Sequence, residues 1–384
     1  MKLRCLTLLL LASISCAARN IEVTTSQELH QAAANAMPGD RLILSGGPFR
    51  DIHLQDLRGT RDQPIILQGM SARQPASFRG GKTGVQLSRC QWLELRFLDI
   101  HGAQWNGINI DDGGNKDQPA RHITLVDSSI RSIGPNGNFD ALKLSGLDHF
   151  VVRKCRFAGW GGSAIDMVGC HHGLIEACRF EGKEGFSQSS GIQLKGGTSD
   201  VAVLANDFHH AGLRAINLGG STGLQFFRPR VGDHEAEDIE IAGNRIRGSN
   251  APVAFVTSRA GHVHHNTIHL PEKWVLRILQ ENADHPFKPV CDGVFEFNLV
   301  ILDQRVRTHV NIGPGTAAET FTFRNNAWFD LSDPQRKPAL PGKVIDDIHG
   351  ENPGIDLNDE DPASLPPTHP RLKKVGAHAY RAKP

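Results

Sequence analysis

One short pattern recurs through the middle of the chain: Cys155-Arg-Phe157, Cys178-Arg-Phe180, Asn206-Asp-Phe208, Asn244-Arg-Ile246, Asn266-Thr-Ile268, Asn298-Leu-Val300 and Asn326-Ala-Trp328. The last residues of successive copies lie 23, 28, 38, 22, 32 and 28 positions apart. Each copy follows a short alternating stretch, such as Val201-Ala-Val203 or Asp238-Ile-Glu-Ile241. A repeat of this period dictates architecture, because each unit can bury its apolar face only against the next. The apolar period is two and glycines interrupt every segment, so a helical repeat is excluded. Strands of three to five residues separated by turns predict an all-β chain wound as a single-stranded parallel β-helix. Asn at a fixed place in each coil predicts a ladder of amides, each bonding its neighbour one strand spacing away. Cys155 and Cys178 occupy that rung in two consecutive coils. Rungs about 4.8 Å apart fall within the reach of a disulfide, so a bridge and a pair of small buried thiols both fit.

Aligning the strand before each rung gives Gly107-Ile-Asn-Ile110, Ala141-Leu-Lys-Leu144, Ala164-Ile-Asp-Met167, Gly191-Ile-Gln-Leu194 and Ala215-Ile-Asn-Leu218. Strand side chains alternate between faces, so the Ile, Leu and Met positions stack inward. Asn109, Lys143, Asp166, Gln193 and Asn217 then form one outward polar column, which Ala254 of the next coil ends. Five rungs span roughly 20 Å, enough for several sugar units. Lys195 follows the fourth strand and Arg214 precedes the fifth. The longest interval, 38 residues, holds Arg228, Arg230, His234 and Glu235 in a loop, and long loops in compact repeats usually act. Cations, polar groups and a loop thus converge on one region. The plain reading of the same residues is a solvated solenoid face, with Lys143 and Asp166 an ion pair of little worth.

The ends fit a solenoid. Thr25-Ser-Gln-Glu28 is a capping box opening a helix over about 26–37, which would cover the first coil's open edge. The β-helix is expected over 21–330. From residue 331 onward, nine of the 21 prolines fall in 54 residues, predicting a tail over 331–384 that wraps or trails rather than adding regular coils. Residues 1–18 combine Lys2 and Arg4, a short apolar run and small residues, the pattern of a secretory signal. Release to the periplasm or exterior is therefore expected, with a lipid anchor at Cys16 as the alternative. The apolar run is too short for a transmembrane helix.

Composition narrows the function. Lys and Arg total 42 against 41 Asp and Glu, a balance without the basic concentration that nucleic acids require. The only tyrosine is Tyr380, so tyrosine acid–base chemistry in the body of the fold is excluded. Nothing in the composition signals an organic cofactor or an obligate oligomer, and a monomer is expected.

These features together resemble the right-handed parallel β-helix polysaccharide lyases, over residues of about 40–330. Asp140 of Asn138-Phe-Asp-Ala-Leu-Lys, Asp166, and Lys195 in its Lys-Gly-Gly turn are similar to positions in family 9 pectate lyases. That resemblance implies Asp140 and Asp166 as calcium ligands and Lys195 as base, although Gly161-Gly162-Ser163 stand where that family has further aspartates. Family 6, which includes chondroitinase B-like and alginate lyases, pairs a Lys base with an Arg one coil on, and Lys195 with Arg214 is similar. The implied reaction is β-elimination on an acidic, uronate-containing polysaccharide. A base takes the C5 proton while positive charge stabilises the enolate-like carboxylate. Lys195 is the expected base and Arg214 the carboxylate clamp. Asn109, Lys143, Gln193, Asn217, Arg228, Arg230 and His234 are the expected substrate contacts. A glycoside hydrolase with two carboxylates astride the bond, a uronate epimerase, and a non-catalytic glycan-binding or surface solenoid remain the alternatives.

Overall fold

The computed structural model describes residues 18–283, 285–355 and 367–381. The leader expected at 1–18, Cys16 included, lies outside these except for Ala18. From Asn20 to His349 the chain winds through three parallel sheets of 14, 11 and 10 strands, here called sheets A, B and C. Every inter-strand pairing between named strands joins one coil to the next in parallel. This is the β-helix that the repeat predicts.

The inward residues behave as one column per sheet. Ile108, Leu142, Ile165, Ile192 and Ile216 pair in register and are buried. Phe157, Phe180 and Phe208 stack with ring centroids 5.0 and 4.5 Å apart and planes 5° and 6° from parallel. Full burial of such a side chain contributes on the order of 2–3 kcal/mol, and a solenoid accumulates it coil by coil.

The polar ladder forms as expected. The side-chain amide of Asn206 donates to Asn244 Oδ1 at 3.0 Å, Asn244 to Asn266 at 2.9 Å, Asn266 to Asn298 at 3.0 Å, and Asn298 to Asn326 at 3.1 Å. Asp347 closes the row, accepting from Asn326 at 3.2 Å. Cys155 and Cys178 are free buried thiols in the next two rungs upstream. The backbone N–H of Cys178 donates to Asn206 Oδ1 at 2.8 Å. Burial pushes the Cys155 thiol well above its ordinary pKa, which keeps it an uncharged, weak partner.

The capping helix spans Ser26–Ala34 and carries both bonds of the box: Glu28 N–H donates to Thr25 Oγ1 at 3.2 Å, and Thr25 N–H to Glu28 Oε2 at 3.3 Å. Leu29 and Ala33 join the core. It stops about three residues earlier than expected, because Asp40, ion-paired with Arg19, takes the N–H of Met37 at 2.8 Å. The Pro-rich segment both wraps and winds. Short strands at Lys343–Ile345 and Ile348–His349 add a partial coil. Leu372 and Val375 then bury against Leu299, Ile301 and Phe329 on the outside of sheet B. Among the described residues no helix is long and apolar enough to cross a membrane.

Candidate functional site

Sheet C carries the expected column, and it is longer than the alternation suggests. His53, Gln86, Asn109, Lys143, Asp166, Gln193 and Asn217 pair in unbroken register. Ala254 interrupts the row without ending it, since Arg277 and Asn311 follow. The segment Leu276-Arg-Ile-Leu279 is another apolar–polar–apolar strand, and that spacing was the signal available for Arg277.

Beside this column lies a cleft of ≈ 720 Å³. Its floor includes Lys143 and Lys195; its walls include Asp111, Asp112, Phe226 and Arg228. The wall is the long loop folding back over earlier coils. Arg228 Nε donates to Asp112 Oδ2 at 2.6 Å across 116 residues of sequence, and Lys116 Nζ donates to Gln225 O at 2.7 Å. The loop base is tied by Glu235, which is fully buried. Its carboxylate accepts from the N–H of Gly196 at 2.7 Å, and from Thr222 N–H at 2.6 Å and hydroxyl at 2.7 Å. The Asn282 side-chain amide adds a fourth bond. One buried carboxylate thereby fixes both the loop and the turn immediately after Lys195. Its importance follows from the loop's return path, which strand alternation cannot show.

The strand positions facing the cleft hold a compact charge cluster. Asp166, outward by alternation, is nonetheless buried, because the ammonium groups of Lys143 and Lys195 cover it. Lys143 Nζ donates to Asp166 Oδ2 and lies 3.5 Å from Asp140 Oδ2. Lys195 Nζ stands 3.1 Å from Asp166 Oδ1. That approach is a charge contact rather than an aligned hydrogen bond, since Asp166 Oδ1 accepts none. Burial acts to lower the pKa of Lys143, but Asp166 and Asp140 outweigh it and hold the ammonium charged. Burial, and then the charge of Asp166, push Asp140 up to about 6.

This shift has a sign that can be tested. The folded chain holds a proton on Asp140 that an unfolded chain releases near the ordinary 3.8. The associated stability is therefore complete below pH 3.8 and is lost as pH rises through about 6. Across that interval the thermal midpoint of the parent should fall relative to that of Asp140→Asn, which cannot ionise. A constant difference between the two melting series would contradict the assignment.

Several expected site residues sit elsewhere than the resemblance implies. Lys195 and Arg214 share sheet C and adjoining coils, but the register pairs Arg214 with Ser190 and Leu194 with Leu218. Lys195 is thus level with Gly219, five residues or roughly 16 Å along the strand from Arg214. Arg214 faces a second recess of ≈ 440 Å³, shared with Gln193, Asn217, Trp274 and Arg277. There it donates to Asn217 Oδ1 at 3.2 Å and to Glu281 Oε1 at 2.6 Å. Arg277 stacks over Trp274 at 4.7 Å, and its pKa is lowered by burial and by Arg214. Arg214 does not stand beside Lys195 as a clamp. Arg230 and His234 line a different depression with Asp233 and Glu237, which adjoins the cleft at Arg228. His234 is buried with Nδ1 2.9 Å from Asp233 Oδ1. Asn109 lies upstream, where it donates to Gln86 at 2.7 Å and Asp111 at 3.0 Å.

Asp140 and Asp166 do converge, but around Lys143. Calcium takes six to eight oxygen ligands, whereas these carboxylates are engaged by ammonium groups and the Ser163 N–H, which donates to Asp140 at 2.8 Å. The residues present do not fit a calcium site in this arrangement.

Comparison with known proteins bears on this architecture. Residues 83–268 match the family model described as the right handed beta helix region. The fold is therefore that of the right-handed parallel β-helix, as in polysaccharide lyases of family 6. The alginate lyase of Paenibacillus sp. str. FPU-7 superposes with a TM-score of 0.50 at 17% identity, over 85% of this chain and 97% of its own. The PL6 family alginate lyase AlyGC gives 0.54 at 15% identity over 93% of this chain, which spans only 56% of that longer protein. The mannuronan C-5 epimerase AlgE4 A-module of Azotobacter vinelandii gives 0.50 at 12% identity, over 85% and 88%. No curated protein matches the chain by sequence.

Proposed function

We propose that this protein is a polysaccharide lyase that cleaves a uronate-containing glycan by β-elimination in the sheet C cleft, with Lys195 as the base. The observation carrying this reading is the state of Lys195. Its ammonium nitrogen lies on the cleft floor, close to a buried carboxylate yet held by no aligned hydrogen bond among the described residues. No histidine or tyrosine is among the residues lining the cleft. The carboxylates that line it are engaged, Asp112 by Arg228 and Asp111 by Gln86 and Asn109. The cleft lining carries four cations (Arg89, Lys143, Lys195, Arg228), each standing beside a carboxylate: Asp56, then Asp140 and Asp166, then Asp166, then Asp112.

In this reaction Lys195 first releases its ammonium proton to solvent, and the free amine then takes the C5 proton. The released electron pair forms the C4=C5 bond, the C4–O bond breaks, and the departing oxygen takes up a proton. Lys143, held charged by its two aspartates, is the group placed to neutralise the sugar carboxylate as negative charge develops on it. The second recess, with Arg214, Arg277 and Trp274, extends the groove towards further sugar units: a ring can stack on the indole while the guanidinium groups meet a carboxylate.

The neighbouring folds include alginate lyases and a mannuronan C-5 epimerase, which supports an acidic glycan and admits a second outcome from the same proton abstraction. Incubation with alginate, pectate and glycosaminoglycans distinguishes the readings. Ultraviolet absorbance of an unsaturated uronate is the expected result. Inverted C5 configuration without chain cleavage would identify an epimerase, and reducing ends without absorbance a hydrolase. Binding without turnover on every glycan would make the solenoid a recognition module. Release from the cell, the remaining expectation, is tested by locating the mature chain in the culture medium or periplasmic fraction.

A further inference from the structure

Sheet A forms a different wall of the solenoid, and its outer surface carries a row of rings that the cleft does not use. Trp92, His122, His149 and His172 occupy equivalent places in four successive coils. Each has a positive φ, between 52° and 57°. The strand registers pass over these positions on both sides, pairing Arg121 with Asp148 and Ile123 with Phe150 but leaving out His122 and His149. Each residue is therefore a left-handed kink repeated at the same place in each of these coils, without loss of register. The rings lie over one another, with centroids 3.6, 4.9 and 4.8 Å apart.

Within this row Asp148 reaches two imidazoles at once. Its Oδ1 is 3.0 Å from His149 Nδ1 and 2.8 Å from His172 Nδ1, and the three potential ligand atoms lie within 4.8 Å of one another. An ion bound at about 2.0–2.2 Å by nitrogen and oxygen donors, at angles between square and tetrahedral, holds neighbouring donors roughly 2.9–3.4 Å apart. The two measured separations come close to that range. Lysine and arginine make no ion pair with Asp148 among the described contacts; its charge partners are these two histidines. This contrasts with Asp140 and Asp166, where ammonium groups occupy the carboxylates. Two imidazoles and one carboxylate suit a borderline divalent ion such as zinc rather than calcium, which prefers an all-oxygen shell. His149 and His172 are half-exposed, so an ion has access and water can complete its coordination.

We infer that Asp148, His149 and His172 form a surface site for one divalent transition-metal ion, with zinc as its probe. The test uses the tag-free full chain, stripped with a chelator and dialysed, then titrated calorimetrically with zinc and assayed for metal content. One zinc per chain is expected. His172→Ala and His149→Ala should each weaken binding by at least the roughly 10-fold that loss of even a supporting partner costs. His264→Ala, in a separate histidine cluster paired with Glu240, should bind as the parent does. Circular dichroism checks that each variant is folded, and His172→Gln replaces the alanine variant if it is not. Failure of the folded parent to take up zinc would overturn the assignment, leaving a hydrogen-bonded cluster only. So would uptake that survives both substitutions, or that His264→Ala abolishes equally.

Discussion

Lys195→Ala should fold as the parent does and lose about 10²- to 10⁴-fold in kcat for unsaturated product, the usual contribution of a positioned general base. The side chain is removed from a cleft floor, and its contact with Asp166 is not an aligned hydrogen bond. Asp166 also keeps Lys143, so the buried carboxylate is not stranded. Affinity for the glycan, measured by titration, should change far less than turnover, because Lys143 and Arg228 still line the cleft. Wild-type turnover in this variant would remove Lys195 from the chemistry and return attention to Asp111 and Asp112.

The second large effect is structural. Asn266→Ala should destabilise the fold by about 3–5 kcal/mol. Asn266 Oδ1 accepts both the backbone N–H and the side-chain amide of Asn244 at 2.9 Å. Its own amide donates to Ile241 O and His264 O at 2.9 Å and to Asn298 Oδ1 at 3.0 Å. Alanine leaves the Asn244 donors buried with no water to take them up, which is costlier than losing a bond at the surface. Denaturant unfolding at equilibrium measures the difference; a shift below about 1 kcal/mol would show that the ladder is incidental to stability.

How much of this could be read in advance depends on what each feature requires. The ladder and the polar column need only period two and a fixed rung, so their central members were legible residue by residue, while His53, Gln86, Arg277 and Asn311 of the column and Asp347 of the ladder lay beyond the aligned coils. Even the separation of Lys195 from Arg214 was present in the alignment. Gly191-Ile-Gln-Leu-Lys195 set over Ala215-Ile-Asn-Leu-Gly219 matches Lys195 with glycine and puts Arg214 outside the block, but nearness in sequence to consecutive strands hides displacement along them. The burial of Asp166 was not legible, because alternation predicts a direction and not what covers the group. Glu235 and the Arg228–Asp112 bridge depend on where a 38-residue coil folds back, and no local pattern encodes that path. The row from Trp92 to His172 escaped for a related reason: a left-handed residue within each strand breaks the alternation by which strand faces are assigned.

The amide row has one more implication. It specifies only where each turn of the chain must return, and says nothing about how much chain is spent before it does. Excursions of very different size already close onto equally spaced hydrogen bonds. The segment roofing the cleft can therefore vary in length between its anchors, Arg228 on Asp112 and Glu235 on the turn after Lys195, without shifting the row. What covers the cleft is thus set by one excursion, while the floor with Lys143 and Lys195 is set by the stacked coils.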